Sequence, residues 1–379
     1  MTTVGVLRET APGERRVALS PDGARRLCSG GVRVLVETGA GRGAFFGDAA
    51  WSGAVVVPRV QVYAESDILL CLHPPEDVVE ACRPGQLVIG LLHPLRDPDL
   101  AERLAAAGVT AISLDLLPRT LSRAQAMDAL TSQANVAGYK AALLAAEAYP
   151  GFFPMLMTAA GTTRPAQVLV LGAGVAGLQA IATARRLGAL VTGYDVREAA
   201  RADLASTGAA VLDLRTPRAD AEGGYARELT GDEATAQLHA LANTVSRFDV
   251  VIATAQVPGG RPPLLVTTDA LATMRPGSVV VDLAAGPSGG NVEGSVPDTR
   301  TVTDGGVTVI GAPNLPATVP EAASIAYARN VLALLAALMP RGEVVLDLDD
   351  EIQQAVIVTH GGHVVHPRIK ALFEREIRS

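Results

Sequence analysis

The chain has 379 residues, a net charge of −7 and 49% hydrophobic residues. This length allows two ordinary domains, and the acidic balance argues against a nucleic-acid-binding surface. Its three cysteines, Cys28, Cys71 and Cys82, lack C-x-x-C spacing, which excludes a disulfide framework and a sulfur-based metal site. The N-terminus lacks the features of a signal peptide, and no uninterrupted apolar run approaches the ~18 residues that span a bilayer. We expect a cytoplasmic α/β protein without a membrane span.

Strand and helix patterns alternate through the first third of the chain. Val4–Leu7 opens as a strand, and Ser20 followed by Pro21 predicts the start of a helix. Five more strand-like runs follow, with helical stretches between several of them: Val32–Val36, Ala54–Val57, Ile68–Leu72, Leu87–Leu92 and Thr110–Leu114. This alternation predicts a first α/β domain with a mostly parallel sheet.

A glycine motif organises the middle of the chain. The apolar run 168–171 predicts a buried strand, and the motif Gly172-Ala173-Gly174-Val175-Ala176-Gly177 leads from it into a helix. In such a turn Gly172 permits the tight reversal, Gly174 lets the backbone approach a diphosphate, and Gly177 lets helix and strand pack closely. The helix N-terminus adds N–H donors and partial positive charge. The motif with its flanking strand and helix predicts a dinucleotide site that includes Val175 and Ala176.

The acid that completes this fingerprint is Asp195, at the end of the next predicted strand. A carboxylate there accepts hydrogen bonds from the adenosine ribose and repels a 2′-phosphate. The sequence therefore favours NAD over NADP as the cofactor. Val196 and Arg197 follow Asp195 directly, and the positive charge of Arg197 weakens that preference.

The later strands of this domain carry polar residues at their carboxyl ends. Strands are predicted at 209–214, 250–253, 278–282 and 307–310, which fits a doubly wound order with the ligand at the switch point. Four residues at these ends, Thr254, Ala255, Gln256 and Asn291, are expected to surround the ribose and nicotinamide. A charged, glycine-containing segment at 215–232 predicts a surface loop.

Two long helical patterns, one leading into Pro150 and one at 320–338, are predicted to join the domains. The expected fold is α/β, with two Rossmann-like domains, parallel sheets and two connecting helices. Residues 1–133 and 334–379 form a discontinuous N-terminal, catalytic-type domain, and residues 134–333 form the NAD(H)-binding domain. His360, His363 and His366 lie beside Gly361-Gly362 and Pro367, which predicts a turn, so no metal site is expected.

Four segments resemble one family. They read R-A-Q-A-M-D-A-L-T-S-Q-A-N-V-A-G-Y at 123–139, M-T-A-A-G-T at 157–162, G-A-G-V-A-G-L-Q-A-I-A at 172–182 and G-G-Y-A at 223–226. The chain resembles, over nearly its whole length, the soluble NAD(H)-binding alpha subunit of proton-translocating nicotinamide nucleotide transhydrogenases. Alanine dehydrogenase is a related family with the same architecture.

The resemblance implies a loop that holds the bound nicotinamide. In the family an arginine, a glutamine, an aspartate and a hydroxyl residue do this, and they fall on Arg119, Gln125, Asp128 and Thr131. The chain is one residue longer than the family pattern near Thr120, so Arg123 is an alternative to Arg119. Tyr225 matches a tyrosine on a mobile loop that closes over the nucleotide.

The departures from the pattern separate the two families. Alanine dehydrogenases bind the substrate carboxylate with an arginine, here Arg16, and a lysine, whose position falls on Cys71. Their catalytic aspartate is expected shortly after Asp282, where this chain has no acid. His93 matches their histidine and, without an acid partner, is interpreted as structural.

The resemblance therefore implies hydride transfer between NAD(H) on this chain and NADP(H) on a partner component, coupled to proton translocation. It further implies membrane-spanning and NADP(H)-binding partner subunits, a homodimer, and a peripheral location at the inner face of the cell membrane. Two alternatives stay open: an amino-acid dehydrogenase of the alanine type, and an NAD-binding regulatory module without activity.

Overall fold

A computed structural model describes residues 1–214, 227, 229–257, 260–287 and 289–376. The chain divides into two compact units, residues 1–133 with 316–379 and residues 134–315. Both are α/β units with mainly parallel sheets, as the sequence predicts.

The first unit is built on a parallel sheet of six strands among the described residues, in the order β3-β2-β1-β4-β5-β6. The elements up to the first division of the chain are β1 Thr3–Val6, α1 Pro21–Ser29, β2 Arg33–Glu37, β3 Val55–Val57, α2 Arg59–Glu65, β4 Ile68–Leu70, α3 Val78–Ala81, β5 Leu87–Gly90, α4 Pro98–Ala106, β6 Thr110–Ser113 and α5 Ala129–Ala148.

Local signals set the helix starts in this unit. The Ser20 hydroxyl accepts a hydrogen bond from the Gly23 N–H at 3.1 Å, and Pro21 occupies the first turn of α1. Asp97 caps α4 in the same way through the Leu100 N–H. Such caps satisfy backbone donors that have no partner within the helix. The predicted start of α1 is therefore confirmed.

The second unit contains a sheet of seven strands among the described residues, in the order β11-β10-β9-β12-β13-β15-β14. All its pairs are parallel except that of β14 with β15. Its elements after α5 are β7 Leu156–Thr158, β8 Gly161–Thr163, β9 Gln167–Leu171, α6 Val175–Arg186, β10 Leu190–Tyr194, α7 Ala200–Ser206, β11 Ala210–Val211, α8 Gly231–Val245, β12 Val250–Ala253, α9 Thr268–Ala272, β13 Val279–Asp282, β14 Thr299–Val302 and β15 Thr308–Gly311.

The carboxyl-terminal segment belongs to the first unit. Its elements are α10 Pro320–Leu338, α11 Glu351–Val356, β16 Thr359–His360, β17 His363–Val364 and α12 Pro367–Glu376. The apolar runs 344–348 and 355–358 also predict short strands, and both predictions are wrong. Residues 344–348 form no strand, and Asp350 caps a helix, α11, through the N–H groups of Ile352 and Gln353. The predicted histidine turn is confirmed, with Gly361 and Gly362 both at positive φ.

Helix α10 lies where the sequence predicts, at Pro320–Leu338, but it belongs to one unit instead of joining two. The expected second boundary, between residues 333 and 334, lies inside α10, whereas the division observed is at 315/316. The reason is packing: Tyr327, Val331 and Leu334 are fully buried in one apolar cluster with residues of the first sheet. The Tyr327 hydroxyl also donates to the Cys71 carbonyl at 2.9 Å. Helix α5 therefore spans the division at 133/134, whereas α10 lies wholly within the first unit.

Helix α10 is also the one described helix that is long and apolar enough, by length and composition, to cross a bilayer. Half of its most apolar stretch is buried within the protein. It carries Glu321, Arg329 and Asn330, and the Asn330 amide donates to the Ala126 carbonyl at 2.9 Å. These contacts are those of a core helix of the first unit.

Candidate functional site

The glycine turn of the second unit runs from β9 into α6. Gly172 has φ 97°, a left-handed conformation that favours glycine, and a side chain there would meet the Thr254 hydroxyl at 2.8 Å. A Cβ on Gly177 would lie 1.8 Å from the Gly172 carbonyl oxygen. The Thr254 hydroxyl in turn donates to the Leu171 and Gly172 carbonyls at 3.2 and 3.1 Å. These contacts keep the start of α6 against the ends of β9 and β12.

Gly174 differs from its two neighbours in the motif. It is exposed, and a Cβ added there would meet nothing within 4 Å among the described residues. Because glycine has no side chain, Gly174 provides no side-chain cap for the start of α6. An uncapped helix start offers backbone N–H groups and partial positive charge to an anion. The open space beside Gly174 therefore fits a dinucleotide diphosphate.

A further glycine, Gly138 in α5, supports this turn, and the sequence analysis does not identify it. A Cβ on Gly138 would lie 2.0 Å from the Ala176 carbonyl oxygen, so only glycine lets α5 approach the first turn of α6 this closely. The residues beside Gly138, V-A-G-Y, do not indicate that α5 packs against α6. The one indication in the sequence is the glycine itself, which is usually unfavourable inside a helix.

Asp195 follows β10 at the same edge of the sheet. One carboxylate oxygen accepts from the Ala173 N–H at 2.7 Å, and both accept from the Arg197 guanidinium at 2.8 and 2.9 Å. Burial alone would raise the pKa of Asp195, but the hydrogen bonds from Arg197 and Ala173 outweigh it and hold that pKa below its usual value. The Asp195 carboxylate is therefore ionised at neutral pH and already paired with Arg197. Val196, between them, is partly buried against an apolar cluster.

The polar residues after β12 occupy different environments. Thr254 and Ala255 are partly buried, while Gln256 is exposed and its amide donates to the Leu283 carbonyl at 3.4 Å. Asn291 is fully buried. Its amide donates to two backbone carbonyls, those of Ala255 and Pro263. The expectation that Asn291 helps to surround the ribose and nicotinamide stays a prediction. Tyr225, predicted to close over the nucleotide, lies outside the described residues.

In the first unit, the predicted loop brings three of its four residues together. Asp128 caps α5, because its carboxylate accepts from the Thr131 N–H at 2.8 Å and from the Thr131 hydroxyl at 2.6 Å. The Arg119 guanidinium lies 3.4 Å from the same carboxylate. Gln125 lies in a 3₁₀ helix, Ser122–Met127, with its side chain exposed.

The alternative arginine has a different partner. The Arg123 guanidinium lies 2.6 Å from the Asp350 carboxylate. Of the two arginines considered from the sequence, the structure therefore places Arg119, not Arg123, beside Asp128.

Arg16 is buried in the first unit, and its guanidinium has two side chains as hydrogen-bond acceptors. It donates to both carboxylate oxygens of Glu14 at 2.8 and 2.6 Å and to the Gln133 amide oxygen at 2.8 Å. Cys71, the position matched to the family lysine, is fully buried in apolar surroundings. The residue that faces the Arg16 guanidinium is His73, whose Nε2 lies 3.5 Å from it.

His93 has an acid partner, contrary to the interpretation from sequence. Its Nδ1 lies 3.0 Å from one oxygen of Asp115, and its backbone N–H donates to the other at 2.9 Å. Burial would raise the pKa of Asp115, but the hydrogen bonds from His93 and Ser113 lower it. His93 also has φ 49°, a conformation uncommon outside glycine. The histidine is therefore held in a fixed position by an ionised carboxylate that lies 22 residues further along the chain.

No group of three or more His, Cys, Asp or Glu residues close enough to hold a metal ion occurs in the part of the chain that the structure describes. The glycine turn, the carboxylate after β10 and the sheet order instead define a dehydrogenase-type nucleotide-binding unit of Rossmann-like fold.

Two family models match the chain over most of its length. The alanine dehydrogenase/PNT N-terminal domain matches residues 5–137, and the C-terminal domain of the same family matches residues 141–367. The chain belongs to the alanine dehydrogenase/PNT family of oxidoreductases.

Individual relatives refine this placement. The chain is 38% identical to the NAD(P) transhydrogenase subunit alpha of Cereibacter sphaeroides, over 96% of this chain and 71% of that protein. It is 30% identical to the alanine dehydrogenase of Bacillus subtilis, over 97% and 93%. The structure of the transhydrogenase from Sinorhizobium meliloti matches with a TM-score of 0.83 at 38% identity, over 97% of this chain and 99% of that chain. The identity to both transhydrogenases thus exceeds that to the alanine dehydrogenase.

Proposed function

We propose that this protein is the NAD(H)-binding component of an NAD(P) transhydrogenase and exchanges hydride with NADP(H) held on a partner component. The observation that carries the proposal is the ionised Asp195 carboxylate beside the open glycine turn. The surroundings of Arg16 support it against amino-acid oxidation, because the guanidinium donates to Glu14 and Gln133 and the Glu14 carboxylate would repel the carboxylate of an amino acid.

Under this proposal, different residues would bind different parts of the dinucleotide. The uncapped start of α6 and the open space at Gly174 would receive the diphosphate, and Asp195 would accept hydrogen bonds from the adenosine ribose. The loop residues Arg119, Gln125, Asp128 and Thr131 would orient the carboxamide. The nicotinamide supplies the hydride when the cofactor is bound. Correct orientation is the main requirement on the protein, because transfer between two nicotinamides removes no proton from a substrate nitrogen.

The proposed function also implies partner subunits and a location for this chain. The partner component would carry NADP(H), and membrane-spanning subunits would couple the transfer to proton translocation. This chain would then lie in the cytoplasm, at the inner face of the cell membrane. The test is to mix the protein with the NADP(H)-binding component of a transhydrogenase and to follow reduction of an acetylpyridine NAD analogue by NADH in the presence of NADP(H). Turnover only in the mixture is expected, and a mixture that binds NADH tightly but never turns over would contradict the proposal.

We also propose a homodimer. The hairpin β7–β8 is largely exposed, and it carries Met157, which is 74% exposed, next to Met155, which is 55% exposed. A two-stranded hairpin is marginally stable by itself, and methionine is enriched at protein interfaces. A second copy of the chain would cover this surface. The Met157→Asp variant should then run as a monomer in light-scattering chromatography, and an unchanged mass would exclude the hairpin as the interface.

Cofactor preference follows from Asp195. NADH should bind more tightly than NADPH, because the carboxylate would face the 2′-phosphate, although its ion pair with Arg197 reduces the difference. The Asp195→Ala variant should weaken NADH binding by roughly 1–3 kcal/mol, the value of a lost charged hydrogen bond. Titration by reduced-nucleotide fluorescence measures both affinities. Equal affinities of the wild type for NADH and NADPH would show that Asp195 does not contact the adenosine ribose.

One observation favours a second candidate function, an amino-acid dehydrogenase of the alanine type. The His93–Asp115 pair provides the acid partner that the sequence pattern did not reveal. Under this function the protein alone would oxidise alanine with NAD and reduce pyruvate with ammonia and NADH. The transhydrogenase proposal predicts that neither reaction occurs, so a spectrophotometric assay of NADH separates the two functions.

A further inference from the structure

We infer that Asn291 is a positioning residue for the nicotinamide half of the dinucleotide, acting through the backbone that follows β12. The inference rests on the proposed nucleotide site but adds a role that the sequence pattern does not give to Asn291. It concerns only the second unit.

Asn291 joins two segments of backbone with one side chain. Its amide nitrogen donates to the Ala255 carbonyl at 2.9 Å and to the Pro263 carbonyl at 2.7 Å. Its backbone carbonyl accepts from the N–H groups of Leu265 and Val266 at 2.8 and 3.0 Å. The side chain is fully buried. Both amide hydrogens are thus used to hold the segment after β12 to the segment that precedes α9.

Asp282, at the end of β13, fixes Asn291 from the other side. Its carboxylate accepts from the Val292 N–H at 3.1 Å and from the Ala284 N–H at 2.8 Å. Asp282 is itself fully buried. The backbone around Asn291 is therefore anchored to the sheet. Through its hydrogen bond to the Ala255 carbonyl, the Asn291 amide restrains the backbone after β12.

The sheet order indicates which half of the dinucleotide depends on this connection. β9 lies between β10 and β12, so the diphosphate turn after β9 separates Asp195, after β10, from Thr254 and Ala255, after β12. If Asp195 holds the adenosine ribose, the remaining half of the dinucleotide extends from the turn toward β12. Asn291 thus controls backbone on the nicotinamide side, away from the adenosine contacts.

The experiment compares whole and truncated ligands on the Asn291→Asp variant by calorimetry. Aspartate has nearly the shape of asparagine, but its carboxyl group donates one hydrogen bond when protonated and none when ionised, so at least one of the two connections is lost. We expect the Kd for NADH to rise on the order of 10-fold. The Kd for ADP-ribose, which lacks the nicotinamide, should change by less than about 2-fold on the same reasoning. Unchanged ADP-ribose binding also shows that the variant is folded.

Asn135→Asp is the matched control, because the Asn135 amide makes one exposed hydrogen bond, to Gln179, in the same unit. It should leave both affinities unchanged. Parallel losses for NADH and ADP-ribose in Asn291→Asp, or no loss for either, would overturn the inference. An Asn291→Asp variant too unstable to purify is replaced by Asn291→Ser, which keeps one donor and should show a smaller loss confined to NADH. If wild-type protein bound neither ligand, the proposed function itself would fail.

Discussion

The Gly174→Ala variant is expected to fold as well as the wild type and to bind NADH at least ~10-fold more weakly. Gly174 has φ −75° and ψ −173°, which alanine adopts without strain, and its added Cβ would meet no described atom within 4 Å. Alanine also restricts the unfolded chain, so stability should be unchanged or higher by up to ~1 kcal/mol. The added methyl group instead occupies the space in which the backbone would meet the diphosphate. Thermal unfolding and NADH titration together measure both effects.

Two other glycines make this experiment specific. In Gly177→Ala the new Cβ would lie 1.8 Å from a backbone oxygen, so binding and stability should fall together, the latter by about 1–3 kcal/mol or more. Gly231→Ala, at the open start of α8, should leave NADH binding unchanged and should leave stability unchanged or raise it by up to ~1 kcal/mol. Wild-type affinity in Gly174→Ala would show that the diphosphate does not approach this turn.

The second large effect is expected for Gln125→Asn, which should slow hydride transfer about 100-fold while changing NADH affinity little. The shorter side chain still carries an amide, but it displaces the carboxamide contact, and a misplacement of ~1 Å can cost ~100-fold in rate. Gln125 is exposed on its 3₁₀ helix, so the substitution removes little packing. Stopped-flow measurement of a single turnover with the NADP(H)-binding component separates the transfer step from binding.

The two arginines of the loop provide the comparison. Arg119→Ala removes the guanidinium beside Asp128 and should slow transfer as well. Arg123→Ala removes ion pairs at the surface with Asp350 and Glu351, each worth up to ~1 kcal/mol, and should transfer hydride normally. A transfer rate constant for Gln125→Asn within error of the wild type would mean that this loop does not position the nicotinamide.

Much of the fold is specified by local sequence. The glycine turn is predictable because its three glycines lie at fixed spacing within six residues, and Gly172 adopts the left-handed conformation that favours glycine. The Ser20 cap and the strand at 190–194 are predictable as well, because a cap or a buried strand depends on residues close together in the chain. The edge strand β14 is not predicted from the sequence, since all four of its residues are exposed and it has no apolar pattern.

What only the tertiary structure decided depends on partners distant in sequence. The predicted boundary falls inside helix α10 because the apolar face of that helix does not indicate which sheet it covers. The pairing of His93 with Asp115 and the role of Asn291 are hidden in the sequence for the same reason. Each polar side chain finds its partner through strands brought side by side in the sheet. Residue type predicts the chemistry of a side chain, whereas its partner, and therefore its role, is set by the packing of the sheet.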